Sequence, residues 1–222
     1  MTPTGFVLLL SDKPKCLMSE IKNIIFDFGA VLYDIDFNKA ALAFQKIGIP
    51  DFHHQYTQSQ VSEIFSLLEK GKISPDAFLK EMQSQSQNNV TTNEVKEAWN
   101  SILLDFRKES ISWMIQNRSK YRFFLLSNTN IIHYQYFTEQ FKDAYPGLIL
   151  ENLFEKAFFS FEIGMRKPDE AIFNHLLKET NLIPEETLFI DDTGVHIETA
   201  KSIGLQCHHL LPLERIETLG KI

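Results

Sequence analysis

The sequence has little cysteine, no basic excess and no long apolar run. Its two cysteines, Cys16 and Cys207, are too few for a disulfide framework, and neither has a spacing typical of a metal site. The net charge of −7 and the lack of a basic stretch argue against a nucleic-acid partner. No apolar run approaches the roughly 20 residues that span a bilayer, which argues against a membrane partner. We therefore expect a cytoplasmic protein with free thiols.

The remaining composition is that of an ordinary globular protein, with 44% hydrophobic and 23% charged residues. A chain of 222 residues suggests one large domain, or one domain that carries an insert. Residues 1–20 precede the first convincing strand, and a second methionine, Met18, lies within them. We assign residues 1–20 to an N-terminal extension and leave residues 1–17 out of the fold prediction.

Five apolar runs predict buried parallel strands. The runs are continuous rather than alternating, as in sheets that are covered on both faces. The predicted strands are residues 23–28, 121–127, 156–160, 187–191 and 205–210. Helical patterns follow later strands at residues 131–141, 169–180 and 195–203. This alternation predicts an α/β fold, in which a doubly wound parallel sheet has helices on both faces.

The segment from about residue 36 to residue 104 interrupts the alternation. It contains no run typical of a strand, and its amphipathic patterns predict helices at residues 38–47, 58–70, 75–83 and 92–103. Ser74 before Pro75 is typical of a helix start, and Gly71 is typical of a helix end. We predict a helical domain over residues 36–104, inserted into an α/β core formed by residues 21–35 and 105–222.

Polar residues follow the predicted strands at the edge where parallel sheets bind ligands. Asp27 is suited to attack phosphorus as a nucleophile, although an aspartate at a strand end more often binds backbone amides. Ser127 and Asn128 are suited to donate to phosphate oxygens, whereas Ser127 or Thr129 could instead cap the next helix. Lys167 is suited to neutralise a phosphate, although a lone lysine is usually exposed to solvent.

The adjacent acids Asp191 and Asp192 end the fourth predicted strand. Two carboxylates side by side repel each other, and a divalent cation removes this difficulty. Magnesium prefers carboxylate and water oxygens, so these acids and Asp27 predict a magnesium site that bridges enzyme and phosphate. The alternative is a helix start, with acids near the positive end of the helix.

With these features in this order, the chain resembles the haloacid dehalogenase-like hydrolase superfamily over about residues 21–212. The resemblance rests on Phe-Asp-Phe-Gly-Ala-Val-Leu at 26–32, Leu-Ser-Asn at 126–128, Gly-Met-Arg-Lys-Pro at 164–168 and Phe-Ile-Asp-Asp at 189–192, with Gly-Leu at 204–205. It implies a Rossmann-like core with a helical C1 cap after the first strand. Within the superfamily, a second set of segments resembles bacterial phosphatases that act on sugar phosphates such as α-glucose 1-phosphate: Asp-Phe-Gly at 27–29, Asp-Ile-Asp-Phe at 34–37, Ser-Asn-Thr-Asn at 127–130 and Gly-Met-Arg-Lys-Pro at 164–168.

The resemblance implies a magnesium-dependent phosphatase that hydrolyses small phosphorylated metabolites through an aspartyl phosphate. Asp27 would be the nucleophile and a metal ligand, and Lys167 would stabilise the charge of the phosphoryl group. Ser127 and Asn128 would bind that group. The other magnesium ligands would be the carbonyl of Gly29, Asp191 and Asp192.

Gly29 departs from the family pattern, because most phosphatases of this superfamily have a second aspartate there as general acid and base. Glycine cannot protonate a leaving group, so water, a cap residue or a good leaving group would have to compensate. Gly29 also leaves open the alternative that the protein is a non-catalytic regulator that binds a phosphorylated metabolite. Another alternative is a 2-haloacid dehalogenase, which needs no metal and would leave Asp191 and Asp192 without a purpose.

Two further groups of residues are candidates. We expect Asp34 and Asp36 to make hydrogen bonds at the hinge to the cap. Four histidines are candidates by chemistry alone: His53, His54, His208 and His209.

Overall fold

The computed structural model describes residues 20–58 and 60–219, so Cys16 lies outside the described residues, and Cys207 is a free thiol as predicted. Seven strands are found in these ranges: β1 (Asn23–Phe26), β2 (Tyr33–Ile35), β3 (Leu103–Phe106), β4 (Arg122–Ser127), β5 (Lys156–Phe159), β6 (Thr187–Asp191) and β7 (Gln206–His209). Ten α-helices are found in the same ranges: α1 (Phe37–Lys46), α2 (Phe52–Gln55), α3 (Glu63–Glu69), α4 (Pro75–Ser84), α5 (Thr92–Asn100), α6 (Lys108–Asn117), α7 (Ile131–Ala144), α8 (Ser160–Ile163), α9 (Glu170–Thr180) and α10 (Gly194–Ser202). None of these described helices combines the length and apolarity needed to cross a membrane.

Five parallel strands form the main sheet, in the order β5-β4-β1-β6-β7. β1 lies in the middle, where Phe26 pairs with Leu125 on one side and with Ile190 on the other. All residues of β1 are buried, as expected for a strand that is covered on both faces. Because the strands are parallel, the carboxyl ends of β4, β1 and β6 lie side by side at one edge of the sheet.

Alternate residues of β1 face two different hydrophobic cores. Ile24 and Phe26 belong to a core that includes residues of α6 and α7, whereas Ile25 belongs to a core that includes residues of α9 and α10. Ile172 and Phe173 of α9 are among the apolar residues that cover the second face. The predicted doubly wound α/β fold is therefore confirmed.

The segment from α1 to α5, which we call the helical insert, packs around a third hydrophobic core that contains Trp99. The ring of Phe65 lies with its centroid 5.1 Å from that of Trp99. The hydroxyl of Ser74 accepts a hydrogen bond from the backbone N–H of Ala77 at 3.2 Å, so the predicted helix start at Pro75 is confirmed. The insert thus buries its apolar helix faces against one another.

Gly71 follows the end of α3, where it adopts φ +60°, and the predicted helix end is confirmed. A Cβ atom at this position would lie 2.2 Å from the carbonyl oxygen of Phe161, which belongs to α8 of the α/β core. A larger residue would therefore have to displace backbone, and glycine allows the insert to approach the core closely.

A short antiparallel pair, β2 and β3, connects the insert to the core and was not predicted from the sequence. Tyr33 pairs with Phe106, and the two rings meet edge to face with centroids 4.8 Å apart. The helix predicted over residues 92–103 is too long, because α5 ends at Asn100 and β3 begins at Leu103. Strands this short have too little periodicity to be recognised, since their pairing depends on tertiary contacts.

Other predicted boundaries are also wrong. β1 ends at Phe26 rather than at residue 28, because the carbonyl of Phe28 accepts hydrogen bonds from the N–H groups of Leu32 and Tyr33 in a turn. The helix predicted from residue 58 begins at Glu63, because a turn with a backbone bond from Thr57 N–H to Gln60 precedes it. Helices α2, α6 and α8 were not predicted.

The two hinge aspartates make the hydrogen bonds expected of them. Asp34 accepts from Nε of Arg107 at 2.7 Å, which ties β2 to the residue after β3. Asp36 caps α1 by accepting from the N–H groups of Asn38 and Lys39.

Candidate active site

Three neighbouring strands end with polar residues at the same edge of the sheet. Asp27 follows β1 and is 8% exposed, Ser127 ends β4, and Asp191 ends β6 and is fully buried. The apolar side chains of these strands bury the backbone on both faces, so the side chains at their ends are held in fixed positions. The sheet thus brings together the residues that the sequence placed at separate strand ends.

Lys167 joins the first two acids of this edge. Its Nζ atom lies 2.6 Å from Oδ1 of Asp27 and 2.7 Å from Oδ2 of Asp191. The lysine side chain is fully buried, so the alternative of a solvent-exposed lysine is wrong. Burial alone would lower the pKa of Lys167, but the charges of Asp191 and Asp27 outweigh that effect and raise it above its usual value. Lys167 is therefore a buried cation held between two carboxylates.

Asn128 supports the backbone of Lys167. Its Oδ1 accepts from the N–H of Lys167 at 2.8 Å, and its Nδ2 donates to the carbonyl of Lys167 at 2.9 Å. One N–H of the amide remains for a ligand, so the predicted phosphate contact of Asn128 stays a prediction. The hydroxyl of Ser127 has no hydrogen-bond partner within residues 20–58 and 60–219, which leaves it available to a bound oxygen.

Asp191 accepts hydrogen bonds from three residues. Besides Lys167, the ring Nδ1 of His196 lies 3.0 Å from its carboxylate, and the N–H of Thr193 donates to it at 2.8 Å. Burial would raise the pKa of Asp191, but Lys167 and His196 hold it at about 2. Asp191 is therefore ionised at neutral pH.

Asp192 completes a cluster of acids. Asp27, Asp191 and Asp192 each offer a carboxylate oxygen, and these oxygens lie within 4.8 Å of one another. Burial, followed by the charges of Asp27 and Asp191, raises the pKa of Asp192 to about 7. Burial also raises the pKa of Asp27, against the opposing charge of Lys167. One lysine faces three acids, so the cluster has an excess of negative charge.

Gly29 lies in the same cleft, and its missing side chain has a local explanation. A Cβ atom at Gly29 would lie 3.2 Å from Cδ1 of Ile35, a tight contact that requires the Ile35 side chain to shift. The cleft has a volume of about 100 Å³ and borders a cavity of about 790 Å³, with which it shares Arg166 and His196.

The comparisons with known proteins agree with this arrangement. Residues 21–204 match the haloacid dehalogenase-like hydrolases. The chain belongs to this family. A relative from Bacteroides thetaiotaomicron that is named D-ribitol-5-phosphate phosphatase is 34% identical over 188 residues, which cover 84% of this chain and 90% of the relative.

Solved structures are similar to this haloacid dehalogenase-like hydrolase over nearly their whole length. A family member from Bacteroides thetaiotaomicron, in complex with magnesium and inorganic phosphate, has a TM-score of 0.81 and 31% identity, with 90% of this chain and 99% of that chain covered. A predicted hydrolase of the same type from Porphyromonas gingivalis has a TM-score of 0.75 and 30% identity, with 86% and 91% covered.

Several residues that line the cleft of this hydrolase were not predicted. Tyr56, Gln58 and Glu69 come from the helical insert, and Arg166 and His196 come from the α/β core. Nε2 of Gln58 donates to Oδ2 of Asp192 at 2.9 Å, so the insert reaches the acid cluster directly. Arg166 could have been found from the sequence, because it lies next to Lys167 in the Gly-Met-Arg-Lys-Pro segment. The other four residues lie in no recognisable motif.

The four candidate histidines have different positions. His53 and His54 lie exposed on α2 and are not among the described residues that line the cleft. His208 lies 3.3 Å from Glu214, and Nε2 of His209 lies 3.0 Å from the carbonyl oxygen of Asp192. Only His209 is thus close to the acids, and it contacts backbone.

Proposed function

We propose that this hydrolase is a magnesium-dependent phosphatase that acts on small phosphate monoesters, in particular phosphates of sugars or sugar alcohols. The observation that carries the proposal is the position of Asp27, which lies at the end of the central strand, 2.6 Å from a buried lysine and beside two further acids. The relative named D-ribitol-5-phosphate phosphatase supports the substrate class, and the family structure with magnesium and inorganic phosphate supports the cofactor.

Magnesium fits the donors of this site. Carboxylate oxygens are the ligands that it prefers, and the raised pKa of Asp192, about 7, reflects burial and negative charge that a cation would offset. We assign Asp27, Asp191, Asp192 and the carbonyl of Gly29 as its protein ligands. When bound, magnesium neutralises phosphoryl oxygens and makes phosphorus easier to attack.

Asp27 carries the covalent step. One carboxylate oxygen attacks phosphorus, the bond between phosphorus and the leaving oxygen breaks, and the electron pair stays with that oxygen, which takes up a proton. Water then attacks the phosphorus of the aspartyl phosphate, which releases inorganic phosphate and restores the carboxylate.

The neighbouring residues stabilise the charge that the phosphoryl group carries during transfer. The ammonium of Lys167 is close enough to Asp27 to contact the same phosphoryl oxygens, and the Ser127 hydroxyl is available as a donor. Asn128 keeps Lys167 in place through its backbone and offers its remaining N–H to the phosphoryl group.

The alternatives are not favoured. A 2-haloacid dehalogenase needs no metal, and the cluster of Asp27, Asp191 and Asp192 would then be three acids without a counter-ion beyond Lys167. A regulator that only binds phosphate would have no use for a carboxylate at the point of attack. Gly29 instead favours substrates whose leaving oxygen needs little protonation or takes its proton from water.

We further propose that residues 36–104 act as a cap domain on a core of residues 21–35 and 105–222. The insert has its own hydrophobic core, and six of its residues line the cleft, among them Tyr56, Gln58 and Glu69. Most of the proposed extension, residues 1–20, lies outside the described residues. The cytoplasmic location is also a proposal, which is based on the low cysteine content.

Phosphate release from a panel of sugar, sugar-alcohol and aryl phosphates tests the proposed function. We expect release with Mg²⁺, none with EDTA, and a loss of about 1,000-fold or more in Asp27→Asn, because that change removes the nucleophile. Asp143→Asn changes an exposed acid in the same way and serves as the control. Binding of phosphate esters without turnover across the whole panel would contradict the proposal.

A further inference from the structure

Three polar side chains connect the helical insert with the core beside the acid cluster. Glu69 ends α3 and is 2% exposed. Its Oε1 accepts from the hydroxyl of Tyr56 at 2.7 Å, and its Oε2 accepts from Nε of Arg166 at 2.8 Å. Tyr56 and Glu69 belong to the insert, whereas Arg166 precedes Lys167 in the core. We call these three residues the polar bridge.

Packing alone does not explain the polar bridge. Burying an ion pair removes both charges from water, and apolar residues of similar volume are often at least as stable. Apolar surroundings are at hand, because the ring of Tyr56 packs against Phe65 and Trp99 with centroids 5.0 and 4.8 Å apart. A buried carboxylate that holds an arginine at this position therefore points to a function.

Arg166 has donors that remain for a ligand. Its Nε is bound to Glu69, while its two terminal nitrogens have no hydrogen-bond partner among the described residues. The side chain is 18% exposed and lines both the cleft with Asp27 and the larger cavity beside it. A guanidinium fixed at one nitrogen presents the others in a defined plane.

The charge of Arg166 is already matched by Glu69. With magnesium and Lys167 balancing the three acids, the phosphoryl group of the substrate itself brings negative charge into the cleft, which makes a second anion there still less favourable. A neutral oxygen, such as a hydroxyl, accepts from the guanidinium without adding charge. The local electrostatics therefore favour a leaving group that is rich in hydroxyls over one that carries a carboxylate or another phosphate.

We propose that Arg166, positioned by Glu69 and Tyr56, selects substrates with a neutral, hydroxyl-rich leaving group by donating hydrogen bonds to its hydroxyl oxygens. The proposal rests on the phosphatase function given above. Burial and the neighbouring Glu69 raise the pKa of Tyr56, so the phenol keeps the proton that it donates to Glu69. Tyr56 and Glu69 are positioning residues, and Arg166 is the one that contacts the substrate.

Steady-state kinetics of Arg166→Gln on three substrates test the proposal. D-ribitol 5-phosphate has a neutral hydroxylated leaving group, 5-phospho-D-ribonate has the same length with a carboxylate, and p-nitrophenyl phosphate has no hydroxyls. We expect KM for ribitol phosphate to rise about 10- to 100-fold, and kcat/KM for ribitol phosphate to fall at least about tenfold more than kcat/KM for p-nitrophenyl phosphate. Arg122→Gln, which alters an arginine bound to Glu155 far from the cleft, is the control.

Glu69→Gln gives a second, independent readout. Without the carboxylate, the charge of Arg166 is unmatched, so the ratio of kcat/KM for phosphoribonate to that for ribitol phosphate should rise about tenfold. Tyr56→Phe keeps the ring packing and should raise KM for ribitol phosphate by a smaller factor than Arg166→Gln. A purely structural bridge would not change the preference between two substrates.

The outcomes separate the two proposals. Two results would overturn the role of Arg166 and leave the phosphatase function intact. One is an equal loss of kcat/KM on all three substrates in Arg166→Gln, and the other is an unchanged ratio of kcat/KM for phosphoribonate to that for ribitol phosphate in Glu69→Gln. A wild-type protein that releases phosphate from none of the substrates would overturn the proposed function instead. Should Arg166→Gln not fold, Arg166→Lys, which keeps the charge but loses the planar donors, is expected to show the same selective rise in KM.

Discussion

Lys167 is the residue on which the electrostatics of the acid cluster depend. Its ammonium lies within 2.7 Å of the carboxylates of both Asp27 and Asp191, and none of its side chain is exposed. Without it, two buried carboxylates would face each other with no cation between them. Lys167 therefore supports the fold as well as the proposed phosphoryl transfer.

We predict that Lys167→Ala lowers the free energy of unfolding in EDTA by about 3–5 kcal/mol, because it leaves buried charges unpaired. Mg²⁺ should recover part of that loss, while phosphate release stays far below wild type. Urea unfolding with EDTA and with Mg²⁺ measures the first effect. Lys142→Ala, at an exposed position, should leave stability within about 0.5 kcal/mol. Wild-type stability of Lys167→Ala in EDTA would refute the prediction.

At the residue scale, the sequence predicts some site residues and not others for a physical reason. Asp27 and Asp191 follow continuous apolar runs, so their position at the sheet edge follows from the strand pattern alone. Glu69 is one of two acids on α3, and although it lies one turn after Phe65 on the apolar face, the helical period does not show what its carboxylate binds. Its burial depends on how α3 packs against the core, which local patterns do not encode.

At the scale of elements, one buried histidine connects α7 with α5 of the insert. The ring of His133 stacks near Trp99 with centroids 4.2 Å apart, and its Nε2 lies 3.2 Å from the Trp99 carbonyl. Burial lowers the pKa of His133 to about 3. The ring is therefore neutral in the folded protein at every pH at which the chain is normally handled.

This histidine should make stability depend on pH. The pKa of His133 is lower in the folded state than the ordinary value of about 6.5, so between these values only the unfolded chain takes up the proton. Its contribution to stability is complete above pH 6.5 and decreases as the pH falls towards 3. From pH 7 to pH 5, we expect this effect to cost about 2 kcal/mol.

Urea unfolding of wild type and His133→Gln at both pH values measures the effect. The variant should lose about 2 kcal/mol less than wild type between pH 7 and pH 5. His53→Gln removes an exposed histidine from the insert and is the matched control. An equal pH dependence in wild type and His133→Gln would show that the ring is not the source.

Strands that are buried on both faces of the sheet were predicted correctly from the sequence, whereas the short strands of the two-stranded sheet were not. β1, β4 and β6 are buried on both faces, so their composition alone indicates strands. β2 and β3 have three and four residues, and only their mutual pairing, through Tyr33 and Phe106, makes them strands. The hinge between insert and core is therefore the part of the fold that depends most on tertiary contacts.

At the scale of the whole molecule, three contacts join insert and core in addition to the packing of Ile132 and His133 of α7 against the insert. Gln58 donates to Asp192, Arg166 binds Glu69, and Gly71 lies against the backbone of Phe161. Two of these contacts involve residues that also border the acid cluster. A change of charge in the cluster should therefore affect the stability of the entire molecule.

Magnesium should stabilise the whole protein by binding the folded state. At 100 times the dissociation constant, a ligand that binds only the folded state contributes about 2.7 kcal/mol. For a chain of this size, that corresponds to a rise in Tm of about 5–10 °C. Calcium, which needs more oxygen ligands than this cluster of three acids supplies, should raise Tm less.

The variant Asp192→Asn tests whether Mg²⁺ raises Tm by relieving repulsion among the three acids or through a general effect of ions. At pH 8, above the pKa of about 7, Asp192 is ionised and repels its neighbours, so a neutral amide should raise Tm in EDTA above that of wild type. The same variant lacks one of the proposed magnesium ligands and should gain little from Mg²⁺, so we expect the order of the two Tm values to reverse when Mg²⁺ is added. Thermal unfolding of both proteins with EDTA and with Mg²⁺ checks the reversal. If Mg²⁺ raises the Tm of Asp192→Asn as much as that of wild type, the cation does not bind at Asp192. The proposed mechanism would then lose the charge balance on which it depends.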